Sequence, residues 1–239
     1  MERLDKLVAK HTNLSRSGAR QLIRSGAVLV NGEKIFAADK QLDINNDELK
    51  INGEIIVMRK YLYIMLHKPQ GILSAAKDPD CPTVIDILPE KLKRRGLFPA
   101  GRLDKDTTGL LVITDDGDFS HRLISPSHHV YKTYIAELEG KITEAELDKL
   151  REGITLGDGT ECLPAIVKIV DDDCKKVEVK IREGKYHQVK RMFASVNNSV
   201  AHLHREAIGA LTLDPELKEG DARLMTKEEI EKIFTEIEL

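Results

Sequence analysis

Residues 101–114 read Gly-Arg-Leu-Asp-Lys-Asp-Thr-Thr-Gly-Leu-Leu-Val-Ile-Thr. The first half is polar, and Gly101 and Gly109 allow backbone angles or close approaches that a side chain would obstruct. The second half is apolar and rich in β-branched residues, as in a buried strand, and the turn-forming Asp115-Asp116-Gly117 ends it. We therefore predict a loop that leads into an interior strand and holds Asp104 at its mouth. An isolated aspartate in a loop is more often a turn residue than a catalytic one.

The composition is that of a globular protein with a core: 41% of the 239 residues are apolar and 32% are charged. No apolar run approaches the roughly 20 residues that cross a bilayer, and the charged start lacks the apolar segment of a signal peptide. We therefore expect no membrane association. Cys81, Cys162 and Cys174 are odd in number and widely spaced, which favours reduced thiols in the cytoplasm. We expect a monomer.

Charge is unevenly distributed along the chain, although the net charge is only -3. Residues 1–37 contain seven Lys and Arg against three Asp and Glu, and residues 182–205 contain five against one. Residues 214–239 contain nine acids against four bases. Two basic segments and an acidic tail predict one positive face, which is the electrostatic feature expected of a nucleic-acid-binding protein.

Residues 1–58 are predicted to form a separate small α/β domain. Apolar residues at helical spacing predict a first helix, and Ser15 is a suitable N-cap for a second helix that ends near Gly26. Residues 28–35 contain Asn31-Gly32, the turn sequence of a tight hairpin. Two short helices followed by small strands, with a basic stripe, resemble the S4 RNA-binding domain; the alternative is an ordinary solvated helix face. The residues expected to bind RNA phosphates here are Arg3, Lys6, Arg16, Arg20 and Arg24.

Residues 59–239 are predicted to form the larger domain. A strand that ends at a proline opens it, and a proline-punctuated connection follows, with a short helix near residues 84–88. Later, Lys132-Thr133-Tyr134 begins a segment that alternates as a strand, and Thr143 with Glu146 forms the capping box of a helix. Strands and helices without regular strand–helix–strand alternation predict the α+β class. We expect a mixed, mostly antiparallel sheet flanked by helices.

Three segments together resemble the pseudouridine synthases that modify ribosomal RNA. They are Gly-Arg-Leu-Asp followed by Asp-Thr-Thr-Gly-Leu-Leu in the opening stretch, Lys132-Thr133-Tyr134, and Glu183-Gly184-Lys185-Tyr186-His187-Gln188-Val189-Lys190-Arg191-Met192-Phe193. The resemblance implies that Asp104 is the catalytic residue, that Tyr134 stacks on the target base, and that Lys185 pairs with the aspartate. It extends over residues 4–231, which is nearly the whole chain.

The chemistry of pseudouridine formation explains why these residue types are needed. The reaction breaks the C1′–N1 bond, turns the uracil and rejoins it through C5, so we expect neither a cofactor nor a metal. It needs a carboxylate that acts as nucleophile or base, a cation that stabilises the ionised carboxylate, and an aromatic face for the loose uracil. Attack at C1′, attack at C6 and removal of a sugar proton are all open to Asp104. The further residues expected to contact RNA are Arg102, His187, Gln188, Lys190 and Arg191.

The finer pattern favours the small-subunit (16S) branch of this family. Supporting segments include Thr114-Asp115-Asp116-Gly117 and Leu203-His204-Arg205-Glu206. We therefore expect a uridine of 16S ribosomal RNA, naked or in an assembling small subunit, as the substrate; a 23S uridine, or RNA binding without catalysis, are the alternatives. One departure is Lys185, where arginine is frequent, since lysine lacks the two-pronged geometry of a guanidinium. A rival interpretation, metal-assisted hydrolysis by clustered histidines, lacks an organising His-Glu-x-x-His motif or cysteine pair.

Overall fold

The computed structural model describes residues 1–12, 14–125 and 128–235. The last four residues of the predicted larger domain lie outside the described residues. The chain divides into two compact units, of which the first comprises Met1–Leu62 and Lys91–Leu97 and the second comprises Tyr63–Glu90 and Phe98–Leu239. The domain boundary after residue 58 stays a prediction.

The first unit packs two helices against small antiparallel sheets in the described part of the chain. Its elements are β1 (Glu2–Arg3), α1 (Leu4–Thr12), α2 (Arg16–Arg24), β2 (Val28–Val30), β3 (Glu33–Lys34), β4 (Gln41–Leu42), β5 (Leu49–Ile51) and β6 (Glu54–Ile56). β1 pairs with β4, and the other sheet has the strand order β3-β2-β5-β6. Leu4, Leu7 and Val8 of α1, with Ala19 and Ile23 of α2, are buried in one core cluster with the strands. The apolar spacing that predicted the first helix is therefore confirmed, and α2 buries an apolar face in the same core.

Local signals in this unit act as predicted. The Ser15 hydroxyl accepts a hydrogen bond from the backbone N–H of Gly18 at 3.2 Å, so Ser15 caps α2. Asn31 and Gly32 both have positive φ, +52° and +83°, and connect β2 to β3. Positive φ at both central residues is what a tight type I′ hairpin turn requires.

The second unit is built on one large mixed sheet. Its elements are β7 (Tyr63–Lys68), β8 (Phe98–Pro99), β9 (Thr108–Thr114), α3 (Gly117–Ile124), β10 (Lys132–Leu138), α4 (Glu144–Glu152), β11 (Ile166–Ile169), β12 (Lys176–Ile181), α5 (Gln188–Ala194), β13 (Val200–Ile208), β14 (Leu211–Thr212), β15 (Ala222–Leu224) and α6 (Lys227–Lys232). The order is β11-β12-β10-β13-β9-β7-β15, with β14 beside β13 and β8 beside β9. β9 and β13 run parallel, whereas the other described strand pairs are antiparallel. The predicted α+β class and mostly antiparallel sheet are confirmed.

The strand predicted from the opening stretch lies in the middle of this sheet. Every residue of β9 is buried. Gly109 has φ +107°, and a Cβ built there would lie 2.2 Å from the carbonyl oxygen of Arg205 on β13. Only glycine fits this parallel contact, because any side chain would overlap a backbone atom that cannot move independently. The prediction that Gly109 permits a close approach is confirmed.

The helix predicted near residues 84–88 is wrong. The structure has hydrogen-bonded turns there, and a 3₁₀ turn at Glu90–Leu92 follows. The side chain of Asp86 accepts hydrogen bonds from the backbone N–H and the hydroxyl of Thr83, both at 2.8 Å. Pro89 disfavours a helical conformation at Leu88, so the segment closes as a turn before a helix can develop.

Candidate active site

A pocket of about 70 Å³ lies in the second unit beside the loop that leads into β9. β10, the end of β12, the loop before α5, the start of α5 and β13 supply the rest of its lining. Six residues that were predicted to be functional line this one pocket: Arg102, Asp104, Tyr134, Lys185, His187 and Gln188. The three segments that carried the resemblance are therefore neighbours in space.

Lys68, at the end of β7, fastens the loop that carries Asp104. Its side chain is fully buried. The ammonium donates hydrogen bonds of 2.9–3.2 Å to three backbone carbonyl oxygens, those of Pro69, Lys105 and Thr107. Burial lowers the pKa of Lys68 to about 8, a cost that the three carbonyl partners offset. Two of the three carbonyls belong to the loop, so Lys68 fixes the backbone just after Asp104.

A second anchor fixes the backbone just before Asp104. The buried hydroxyl of Ser74 donates to the carbonyl oxygen of Leu103 at 2.8 Å and accepts from its N–H at 3.0 Å. The N–H of Gly71 also donates to the carbonyl oxygen of Lys105 at 2.7 Å. The loop is therefore held on both sides of Asp104, whose side chain keeps 24% of its surface exposed. A rigid backbone with an accessible carboxylate is the arrangement that a preorganised catalytic group needs.

Two basic residues lie close to the carboxylate of Asp104. His187 Nε2 is 3.5 Å from Oδ1, and Lys190 Nζ is 3.7 Å from Oδ2. The same Lys190 ammonium lies 2.5 Å from Oδ1 of Asp106. This contact holds the pKa of Asp106 below its ordinary value. Lys190 thus sits between two carboxylates of one loop.

The predicted pair between Lys185 and Asp104 is not formed within the described residues. The Lys185 ammonium donates to Oε2 of Glu183 at 2.7 Å and to the carbonyl oxygen of Glu161. Glu183 is buried and only two residues away, so its carboxylate captures the ammonium locally. Lys185 still lines the pocket. A catalytic role for Lys185 stays a prediction, and Lys190 is the lysine that the structure brings to Asp104.

The turn before α5 carries a stacked aromatic pair, of which His187 lines the pocket. His187 has φ +48°, a left-handed conformation that is uncommon for a residue with a side chain. Its ring stacks on that of Tyr186, with centroids 3.8 Å apart and planes 17° apart. Tyr186 is 76% exposed. Sequence reasoning singled out His187 but missed Tyr186, although an exposed tyrosine inside a functional motif is a signal for base stacking.

Tyr134, on β10, is mostly buried and lines the pocket. Its strand register places it opposite Arg205 of β13, whose guanidinium carbon is 6.0 Å from the ring centroid. Arg205 is itself buried and donates through Nε to the carbonyl oxygen of Leu110 at 2.8 Å. Arg205 therefore supports both the predicted stacking residue and β9, a role that the sequence did not reveal.

The other residues of this unit that are predicted to contact RNA differ in exposure and in the partners that they already have. Arg102 is exposed. Arg191 pairs with Asp158 at 2.5 Å. Gln188 is buried, where its side chain donates to Glu183 and accepts from the backbone N–H of Lys185. Its amide therefore orders the loop before α5 in this structure, and RNA contact by Gln188 stays a prediction.

The basic residues predicted in the first unit lie on and beside its two helices. Arg3, Arg16 and Arg20 all approach the carboxylate of Asp5. Lys6 pairs with Glu2 at 2.7 Å. The remaining member of the predicted set, Arg24, is exposed at the end of α2.

The described residues contain no cluster of three or more His, Cys, Asp or Glu side chains arranged to hold a metal ion. Among their helices, none has the length and apolar character that crossing a membrane requires.

Comparisons with known proteins agree for both units. Residues 62–195 match the RNA pseudouridylate synthase family, and residues 2–49 match the S4 domain. A ribosomal small subunit pseudouridine synthase A of Haemophilus influenzae is 43% identical over 97% of this chain and 99% of its own. A Bacillus subtilis protein, named as an uncharacterized RNA pseudouridine synthase, is 40% identical over 95% of this chain and 96% of its own. A crystal structure of a pseudouridylate synthase, 42% identical, superposes with a TM-score of 0.68 and covers 98% of this chain and 100% of that one.

Proposed function

The chain belongs to the RNA pseudouridylate synthase family, and we propose that it isomerises a uridine of 16S ribosomal RNA with Asp104 as the catalytic carboxylate. One observation carries the proposal: a loop anchored on both sides holds Asp104 in a pocket with Tyr134, and Lys190 lies 3.7 Å from the carboxylate. Carboxylate, aromatic ring and cation are the three groups that the reaction needs.

Each of these groups has a defined part in the proposed reaction. The target nucleotide must leave its stack before its reacting atoms become accessible. Asp104 then acts as nucleophile or base while the C1′–N1 bond breaks, and Tyr134 stacks on the detached uracil as it turns. A C1′–C5 bond forms, the proton at C5 leaves, and N1 gains a proton, so the nucleotide keeps its formula. Lys190 stabilises negative charge on Asp104.

RNA binding is proposed to involve both units. The S4 match and the arginines of the first unit support contacts to phosphates, which give affinity without sequence preference. Beside the pocket, exposed Arg102 and the stacked rings of Tyr186 and His187 offer a guanidinium and an aromatic surface. These groups suit the nucleotides that flank an extruded uridine.

The choice of small-subunit RNA rests on the relatives. The Haemophilus influenzae protein is named as a ribosomal small subunit enzyme and aligns with nearly the whole of this chain. The name of the Bacillus subtilis relative states RNA but no particular RNA as its substrate. The finer sequence pattern of residues 114–117 and 203–206 supports the same choice.

The proposal is tested by incubating the purified protein with transcripts of 16S and 23S ribosomal RNA and with partly assembled small subunits. Nucleoside mass spectrometry measures pseudouridine, and carbodiimide mapping locates it. We expect one modified uridine in 16S RNA, naked or in the particle. Modification of 23S RNA alone would show that 16S RNA is not the substrate. RNA binding without pseudouridine in either RNA would contradict the proposed catalytic activity.

A further inference from the structure

The surface of the first unit that is predicted to bind RNA phosphates is itself built around a carboxylate, that of Asp5. Asp5, on the first turn of α1, has no exposed side-chain surface. Buried carboxylates are rare unless they are paired, and Asp5 is paired three times. Arg3 contacts it through Nε and Nη2, both at 3.1 Å, Arg20 through Nε at 3.1 Å, and Arg16 through Nη2 at 3.4 Å.

The three arginines come from different places in the chain. Arg3 lies in β1, and Arg16 and Arg20 lie one turn apart on α2. Their side chains remain 42%, 56% and 47% exposed. Each uses only part of its fork of N–H groups on Asp5, so the outer edges of three guanidinium groups face solvent around one buried anion. Three positive charges against one negative charge leave this cluster at about +2.

A solvent-exposed arginine normally adopts many rotamers, and binding a phosphate requires it to lose that freedom. In this cluster, Asp5 restricts the rotamers before any ligand arrives. The guanidinium fork is suited to two-point contact with phosphate oxygens, provided that its plane is correctly oriented. The carboxylate is too deeply buried for RNA to contact it. The three arginines around it also offset its negative charge, so it repels a bound phosphate only weakly.

We infer that Asp5 is a positioning residue that holds Arg3, Arg16 and Arg20 as one preformed phosphate-binding cluster, so that removing this negative charge weakens RNA binding. The inference rests on the proposed RNA-modifying function. It identifies Asp5 as the residue on which the affinity of the first unit for RNA depends. Charge alone predicts the opposite, because a less acidic protein attracts RNA more strongly.

The first test uses two charge-conserving substitutions in the first unit. Arg20→Lys keeps the positive charge but loses the Nε contact to Asp5, whereas Arg59→Lys makes the same change at an exposed residue outside the cluster and outside the predicted RNA-binding set. The probe is a short RNA hairpin that contains only A, C and G, so the second unit has no substrate in it. We expect Arg20→Lys to weaken the affinity about 3- to 10-fold and Arg59→Lys less than about 2-fold. Equal effects, or no binding of the hairpin by the wild type, would overturn the inference.

The second test removes the carboxylate. Asp5→Asn is compared with Glu33→Gln, which makes the same charge change at an exposed position on β3. We expect Asp5→Asn to bind the hairpin less tightly and with a shallower salt dependence, and Glu33→Gln to bind as tightly as wild type or more tightly. Circular dichroism and denaturant unfolding establish that each variant is folded. Tighter binding by folded Asp5→Asn would contradict the inference.

A mutant cycle between Asp5 and the three arginines separates a positioning role of Asp5 from a general effect on the structure. If Asp5 acts through the arginines, Asp5→Asn causes no further loss of affinity once Arg3, Arg16 and Arg20 have been replaced by alanine. An undiminished loss in that background would overturn the inference. Pseudouridine formation by the wild type in 16S RNA is scored separately, so failure of the proposed catalysis and failure of this cluster give different results.

Discussion

Lys190 Nζ lies 3.7 Å from Oδ2 of Asp104, and the lysine comes from the first turns of α5 while the aspartate precedes β9. Asp106, 2.5 Å from the same ammonium, fixes its position. Because Lys185 is held by Glu183, the two lysines of one motif have separate partners.

Lys190→Met is expected to lower kcat/KM about 10- to 100-fold, because Asp104 loses the cation that stabilises its charge; this loss corresponds to about 1.4–2.7 kcal/mol of transition-state stabilisation. Lys185→Met serves as the matched variant and should cost less than about 10-fold. Single-turnover kinetics on 16S RNA measure both. A larger defect in Lys185→Met would return the pairing role to Lys185.

Lys68→Met is expected to reduce the single-turnover rate at saturating RNA by about 10-fold or more, since three carbonyl oxygens lose their shared donor and the loop of Asp104 loosens. Lys105→Met, an exposed change in the same loop, is the control. Hydrogen exchange should be faster in residues 103–107 of the Lys68 variant only. Identical rates and exchange in the two variants would show that Lys68 does not order the loop.

Gly109→Ala should destabilise the protein by more than about 2 kcal/mol, because φ is +107° and the new Cβ would meet the backbone of Arg205. Gly117→Ala is the comparison, since a Cβ there meets nothing within 4 Å. We expect the second change to alter stability by less than about 1 kcal/mol. Urea unfolding gives both values, and a stable Gly109→Ala protein would refute the parallel contact of β9 with β13.

Asp5 is expected to make the free energy of unfolding of the first unit depend on pH in the acidic range. The hydrogen bond from Arg3, with help from Arg20 and Arg16, lowers the pKa of Asp5 from 3.8 to about 2. A depressed folded-state pKa contributes stability that is complete above the unfolded value of 3.8 and is lost as the pH falls through about 2. After allowance for screening around the half-exposed arginines, this contribution is on the order of 1 kcal/mol.

We therefore expect the wild type to lose stability between pH 4 and pH 2, and Asp5→Asn to lose less over the same range. Denaturant unfolding at several pH values within that range makes the comparison, with Glu33→Gln as the charge-matched control. An unchanged slope in Asp5→Asn would mean that the carboxylate is not linked to folding.

Local sequence signals predicted much of the fold. The run Leu110–Thr114, the Asn31-Gly32 turn, the Ser15 cap and the Thr143–Glu146 capping box each depend on neighbouring residues, and the structure contains all four. The wrong helix near residues 84–88 is the exception. There, Asp86 and Pro89 favour a turn over the apolar spacing.

Features that depend on residues far apart in the chain were not predictable. Asp5 is a charged residue on a helix, and its burial depends on arginines 11 and 15 residues away. Lys190 pairs with Asp104, which lies in a distant part of the sequence, whereas Glu183 holds Lys185 within its own loop. The sequence motif predicted that both lysines lie near the active site, but it could not predict which of them approaches Asp104.

Pseudouridine formation by Asp104→Asn is the strongest test of Asp104 as the catalytic carboxylate. The variant keeps the size of the side chain and removes its charge, and Asp118→Asn makes the same change at an exposed residue of α3. We expect conversion of a 16S uridine by the wild type and by Asp118→Asn, and none by folded, RNA-binding Asp104→Asn, as measured by nucleoside mass spectrometry. Conversion by Asp104→Asn at the wild-type rate would show that Asp104 is not the catalytic carboxylate.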